Sequence, residues 1–109
     1  MKTLKFNVTG QFITLDPSCS EEDLIPGTNG YMQAKFEFSS DWDNCLKVVA
    51  FYSNLGREFT PQLLKADNVC DIPSEVLKRS IFKLKVFGKN PNYELCTDKF
   101  TVCQRGGNA

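Results

Sequence analysis

The chain has 109 residues, enough for one hydrophobic core and too few for two. Its 13 basic and 13 acidic residues cancel, so no long-range field draws it to nucleic acid or anionic lipid, and binding by phosphate neutralisation is disfavoured. No apolar run approaches the roughly 20 residues of a membrane helix.

Hydrophobic residues make up 41%, with nine Phe, three Tyr and one Trp, a complement that suits pleated, half-buried strands. Met1-Lys2-Thr3-Leu4-Lys5 runs straight into a strand pattern with no apolar leader, which predicts a protein kept in a cytoplasm. The five cysteines, Cys19, Cys45, Cys70, Cys96 and Cys103, are odd in number and are expected to be reduced, mostly buried small hydrophobes. A metal site is the sharper alternative, but zinc sites rely on closely spaced Cys or His, and the chain has neither CxxC nor histidine. A disulfide between strands stays open, and spacing does not give its connectivity.

Leu4, Phe6 and Val8 alternate with Lys5, Asn7 and Thr9, which predicts a first strand. Gly10 interrupts it and Phe12-Ile13-Thr14-Leu15 resumes it, so the glycine is expected to mark a bulge or a switch between sheets. Residues 16–30 read as a surface loop anchored by Leu24 and Ile25, with a solvated acidic cluster, Glu21-Glu22-Asp23. Ser20 could cap one helical turn there, and Pro26 would end it. Two alternating runs, Met32-Ala34-Phe36-Phe38 and Leu46-Val48-Ala50-Tyr52, then flank a polar corner that carries Trp42. They predict two paired strands around a Trp-bearing turn.

Asn54-Leu55-Gly56-Arg57 is a turn into Glu58-Phe59-Thr60 and Leu63-Leu64, so the second of those strands is expected to continue as a hairpin. Pro61 lacks an amide proton and puts the returning strand at an edge. A further turn at Lys65-Ala66-Asp67-Asn68 leads to Val69-Cys70-Asp71-Ile72. Pro73-Ser74-Glu75 opens a single helical turn closed by Lys78. Ile81 to Phe87 predicts a strand with Lys83 and Lys85 on its wet face, residues 88–92 a turn, and residues 93–102 a last strand with Leu95, Phe100 and Val102 inward. Residues 104–109 read as a flexible C-terminal tail, leaving 1–103 as the domain. About eight short strands with one helical turn predict an all-β fold, a single antiparallel β-sandwich.

Chemistry is sparse. Without histidine no Cys-His or Ser-His pair exists. Asp41 with Asp43, and the cluster of Glu21, Glu22 and Asp23, lack the glycine and distant glutamate of a calcium loop. Gly106-Gly107 is no phosphate loop. Lys83, Lys85, Lys89 and Lys99 with Tyr93 could form a single-strand platform, but a solvated face on an alternating strand explains those lysines better. The residues therefore predict a non-enzymatic module with no catalytic, cofactor or metal residues.

One pattern adds to this reading. Ala34-x-Phe36-x-Phe38-x-x-x-Trp42-Asp43, then Lys47-x-x-Ala50-Phe51, then Cys70-x-Ile72-Pro73-x-Glu75-Val76-Leu77, then Val86-Phe87-Gly88 with Thr97 beyond, resembles a family of phage domains. These are the immunoglobulin-like β-sandwich domains at the start of baseplate upper proteins and related tail proteins in phages of Gram-positive bacteria. The resemblance implies an immunoglobulin-like sandwich and a tail or baseplate component of the virion, with virion tail or baseplate proteins, or further copies of itself, as partners. The balanced charge and the lack of a long apolar run, for their part, predict neither nucleic acid nor membrane as a partner. The alternative is a small phage protein in the host cytoplasm that binds a host protein, as an inhibitor or trigger of antiviral defence. In either case the contact surface is expected at exposed turn tips, with Asn54, Arg57, Asn92 and Tyr93 as candidates. Trp42 is expected to plug one end of the core with its indole N–H on a carbonyl, and Asp41 and Asp43 to bond local backbone amides.

Overall fold

Period-two alternation of apolar and polar side chains puts one face of a strand in the core and the other in water. The computed structural model of the chain describes residues 2–19 and 32–104, and the expected acidic loop at Ser20, the anchors Leu24 and Ile25, and residues 105–109 lie outside them. Among the described residues nine strands form two sheets. β1 (Lys2–Thr9), β2 (Phe12–Leu15), β3 (Met32–Phe38) and β6 (Val69–Asp71) make a four-stranded sheet in the order β2-β1-β3-β6. β5 (Gln62–Leu63), β4 (Leu46–Ser53), β7 (Ile81–Lys89) and β8 (Glu94–Cys96) follow in that order in the second sheet, where β9 (Phe100–Cys103) also pairs with β7. One helical turn, α1 (Ser74–Leu77), stands at Pro73 as expected. The fold is all-β.

The core is shared by both sheets. Leu4, Phe6, Val8, Ala34 and Phe36 from the first meet Val49, Phe51, Phe82, Leu84, Val86 and Val102 from the second. Phe6 stacks on Phe36 at 5.3 Å and takes Phe100 edge-on at 5.6 Å, a geometry that aromatic rings favour.

Several expectations change. The two runs flanking Trp42 are not paired with each other: β3 lies between β1 and β6, and β4 between β5 and β7, so the corner is an arch from one sheet to the other. Both strands bury an apolar face, and face-to-face packing does this as well as a hairpin does. The pairing is also not wholly antiparallel, because β1 and β3 run parallel in a register that sets Phe6 beside Phe36. β2 brings the chain back beside β1, to the end of the sheet at which both β1 and β3 begin. Gly10, finally, is neither a bulge nor a switch. Thr9 pairs with Phe12, so Gly10 and Gln11 form a two-residue hairpin loop, with Gly10 at φ 59°.

The arch holds Trp42 in a 3-10 turn, Ser40–Trp42, and the indole is wholly buried. Its Nε1–H donates to the Gly10 carbonyl at 2.8 Å, which meets the expectation for a buried Trp. Gly10 N–H in turn donates to Ser39 Oγ at 2.9 Å, so the arch and the first hairpin are locked together. Asp41 accepts from the Ser39 hydroxyl at 3.4 Å rather than from a backbone amide. Gly88, read from sequence as a turn residue, lies within β7 beneath this indole.

The last strand is interrupted. Phe87 pairs with Cys96 and Leu84 with Phe100, so Thr97, Asp98 and Lys99 face only Lys85 and Val86, a bulge of one residue. Thr97 keeps the ladder closed: its N–H donates to Val86 O at 3.0 Å, and its Oγ1 accepts from Val86 N–H at 3.1 Å. The bulge shifts the alternation by one, which is why odd-numbered Leu95 and even-numbered Phe100 and Val102 all pack on the core. β5 is an edge strand, as Pro61 requires. Gln104, assigned from sequence to the tail, is only 5% exposed, and its side-chain amide donates to the Leu77 and Arg79 carbonyls at 3.2 and 2.6 Å. Those carbonyls, at the last residue of α1 and two residues beyond it, would otherwise lack donors, so Gln104 closes that end of the fold.

Candidate functional site

In β4, LKVVAFYS, both faces are apolar, and alternation alone does not choose the inward set. The structure chooses Val49 and Phe51, which pair with Val86 and Leu84 in the core. Leu46, Val48 and Tyr52, expected inside, are therefore on the outer face of the second sheet, and Ala50 shares that face although it is buried. Register then lines up an apolar row across the sheet from edge to edge: Leu63 opposite Val48, Val48 opposite Phe87, Phe87 opposite Cys96. Leu46 adjoins this row, and with Val48, Phe87, Leu95 and Cys96 it lines a concavity of about 590 Å³. Leu46 is 68% exposed, Leu63 60% and Phe87 38%, more apolar surface in one place than isolated exposed residues give. The rim is polar. Lys85 Nζ lies 5.1 Å from the centre of the Phe87 ring, and Lys89 pairs with Glu94 at 3.3 Å.

An apolar centre with a charged rim is the anatomy of a protein contact surface. Full burial of a Leu or Phe side chain stabilises by about 1.5–3 kcal/mol, so covering these three part-exposed side chains makes several kcal/mol available to a partner.

The candidates Asn54, Arg57, Asn92 and Tyr93 do not form one site. Ser53 pairs with Phe82 at one end of β4, and Leu46 with Lys89 at the other. The turn after Ser53 and the turn after Lys89 are thus a strand length apart, about 23 Å at roughly 3.3 Å per residue. Asn92 and Tyr93 serve mainly to build their turn: both backbone amides donate to Asn90 Oδ1, at 2.8 and 2.9 Å. The Tyr93 hydroxyl donates to the Asp41 carbonyl at 2.6 Å and ties that turn to the Trp42 arch. Asn54 and Arg57 are exposed at the far end, where Arg57 stacks on Phe59 at 5.7 Å. Sequence reasoning missed Leu46, Leu63 and Phe87. The available signal was that β4 and β7 carry apolar residues at both parities around Val48 and Phe87.

The remaining reactive groups are scattered. Of the cysteines, only Cys70 is buried; Cys19, Cys45 and Cys96 are half-buried and Cys103 is exposed, which corrects the expectation of mostly interior thiols. Burial, then the neighbouring Asp71 charge, pushes the Cys70 thiol up to about 12. Burial and Glu58 raise the Tyr52 phenol. The Asp16 carboxyl is held below its ordinary value by the Ser18 hydroxyl and amide and by Asn7. Lys99 Nζ sits 4.2 Å from the Tyr52 ring centre, so of the lysines read from sequence as a stripe, Lys85 and Lys99 lie over aromatic rings and Lys89 pairs with an acid. Among the described residues no three His, Cys, Asp or Glu side chains come together as a metal would need, and no helix is long and apolar enough to cross a membrane. No family model, curated protein or solved structure matches the chain.

Proposed function

We propose that this protein is a non-enzymatic protein-binding module whose contact surface is the outer face of the five-stranded sheet. The observation that carries the proposal is the apolar row Leu63, Val48, Phe87 and Cys96 with Leu46 beside it, set across all four strands of β5-β4-β7-β8 and rimmed by Lys85, Lys89 and Glu94. Rows of this kind on a wet face are avoided unless something covers them.

The finer architecture we propose is an immunoglobulin-like sandwich. Its support is the pairing: β3 with β6 in one sheet, and the order β5-β4-β7-β9 in the other, follow the B–E and C′–C–F–G pairings of that fold. The β1-β2 hairpin, with its parallel β1-β3 contact, is an addition to that plan. With the resemblance carried by Phe36, Phe38, Trp42 and Asp43 and by Ile72, Pro73, Glu75, Val76 and Leu77, this supports a phage tail or baseplate component whose sheet face docks on other virion proteins.

The test is affinity capture from infected cells together with mass spectrometry of washed particles, using the wild-type chain and a Leu63→Thr/Phe87→Thr variant. Threonine keeps the strand propensity while removing apolar surface. The proposal expects the wild type in particles with tail proteins, and a variant that folds but is lost from them, since truncating an anchor residue costs about 2 kcal/mol or more of binding, roughly thirtyfold. Recovery of a host protein, with particles empty of the chain, assigns the same face to a host-directed partner. Equal partner recovery with both proteins overturns the proposed surface.

A further inference from the structure

At the end of the molecule remote from the Leu46 concavity, the Arg57 turn and α1 border a second groove of about 690 Å³. Phe59 lies in its lining and carries two guanidinium groups, Arg57 at 5.7 Å and Arg79 at 5.3 Å from the ring centre. Lys78 adds a third cation to the lining, and Glu58 and Glu75 two carboxylates. Despite that proximity, none of Arg57, Lys78 and Arg79 forms an ion pair with a described residue. Arg79 Nε is shielded from solvent with no hydrogen-bond partner. A guanidinium N–H without an acceptor is unfavourable, and of Arg79 only Nε is so enclosed, so an oxyanion would meet the terminal nitrogens, where a charge-assisted bond offsets part of that cost.

We propose that this groove binds a peptide carboxylate, an acidic side chain or chain terminus of a protein partner, with an apolar neighbour of that group resting on Phe59. The contact with the Phe59 ring holds each guanidinium in place, and their terminal donors, paired with no described carboxylate, suit a planar, two-oxygen acceptor. The charge balance selects a carboxylate over a phosphate. Three cations against two carboxylates leave the lining one net positive charge, which a single carboxylate neutralises. A phosphomonoester, at about −1.5 to −2, exceeds that charge and faces Glu58 and Glu75. The groove is separate from the sheet face, so each surface can fail its test without the other.

The experiment titrates a fluorescein-labelled peptide of alternating glutamate and leucine into the full chain, read by fluorescence anisotropy at low and high salt. Binding is expected to weaken with salt, to fall about tenfold in Arg57→Gln and again in Arg79→Gln, and about a hundredfold in the pair. Arg57 is an exposed turn residue, so its variant folds even if Arg79→Gln does not, and Arg79→Lys separates loss of the fork from loss of charge. The Arg79 Nε–H resonance is expected to move on peptide addition, and Phe87→Thr to leave peptide affinity unchanged. Absence of binding, equal binding by Arg57→Gln, or displacement by inorganic phosphate at concentrations comparable to the peptide overturns the proposal.

Discussion

Replacing Gly88 by alanine is the sharpest perturbation of the fold that holds the sheet face in place. A Cβ at Gly88 would lie 2.6 Å from Cζ3 and 2.7 Å from Cε3 of Trp42, and 3.2 Å from Cδ2 of Leu95. Carbon atoms rest about 3.5–4.0 Å apart, so ring and strand must separate by about 1 Å. Neither has room. Trp42 is wholly buried with its ring centre 5.1 Å from that of Phe38, and Gly88 is paired on both sides, with Lys47 and Leu95. A shift of that size also carries the indole N–H out of reach of the Gly10 carbonyl, now at 2.8 Å.

Overpacking costs about 1–3 kcal/mol and an orphaned buried donor about 1–3 kcal/mol, together about 2–6 kcal/mol. At about 4 °C per kcal/mol for a domain of this size, Gly88→Ala is expected to lower Tm by about 8–24 °C. Thermal unfolding by circular dichroism gives the shift, and Trp42, the single tryptophan, reports the site through a red-shifted emission. Gly56→Ala is the control. Nothing lies within 4 Å of its Cβ and its φ is +95°, so it strains the backbone and leaves the emission unchanged. A Gly88→Ala protein with wild-type emission and a Tm within about 2 °C of wild type refutes the packing argument.

Thr97→Val removes the acceptor of the Val86 N–H and is expected to destabilise by about 1–3 kcal/mol in urea unfolding, while Thr97→Ser keeps the hydroxyl and most of the stability. Gln104→Ala strips the donors from the Leu77 and Arg79 carbonyls, with a loss of similar size in the same assay. In the native protein at pH 8, thiol reagents are expected to modify the half-buried Cys19, Cys45 and Cys96 while Cys70 reacts only on unfolding, as mass spectrometry of alkylated peptides can establish. The Cys70 thiol rises from 9.0 to about 12 on folding, so its contribution to stability is complete below pH 9 and declines as pH climbs toward 12; Cys70→Ala removes that part of the alkaline slope.

Local patterns in the chain were readable where one face alone is apolar. Leu4, Phe6 and Val8 alternate cleanly with polar residues, and β1 is where they put it. Pro61 excludes a central strand, Pro73 opens a helical turn, and a lone Trp in a core needs a carbonyl; each of these is a local constraint and each appears in the structure. What the sequence hid is long-range. Nothing local says whether β3 and β4 lie side by side or face to face, and nothing near Gly10 says that its carbonyl will meet an indole 32 residues away. The candidate surface was hidden for a related reason. In LKVVAFYS and around Phe87 both parities are apolar, so only the register with Val86 and Leu84 reveals that Val48 and Phe87 are the outward pair. Turn tips drew attention instead because exposure there is legible, yet Asn92 and Tyr93 largely hold their own turn.

The central claim is that the outward row of the five-stranded sheet is where a protein partner sits. Its most direct measurement is side-by-side quantitative capture with the wild-type chain and the Leu63→Thr/Phe87→Thr variant, after melting curves have shown both to be folded. The account predicts that the partner recovered with the wild type falls by about thirtyfold or more with the variant. Equal recovery from two folded proteins would contradict it.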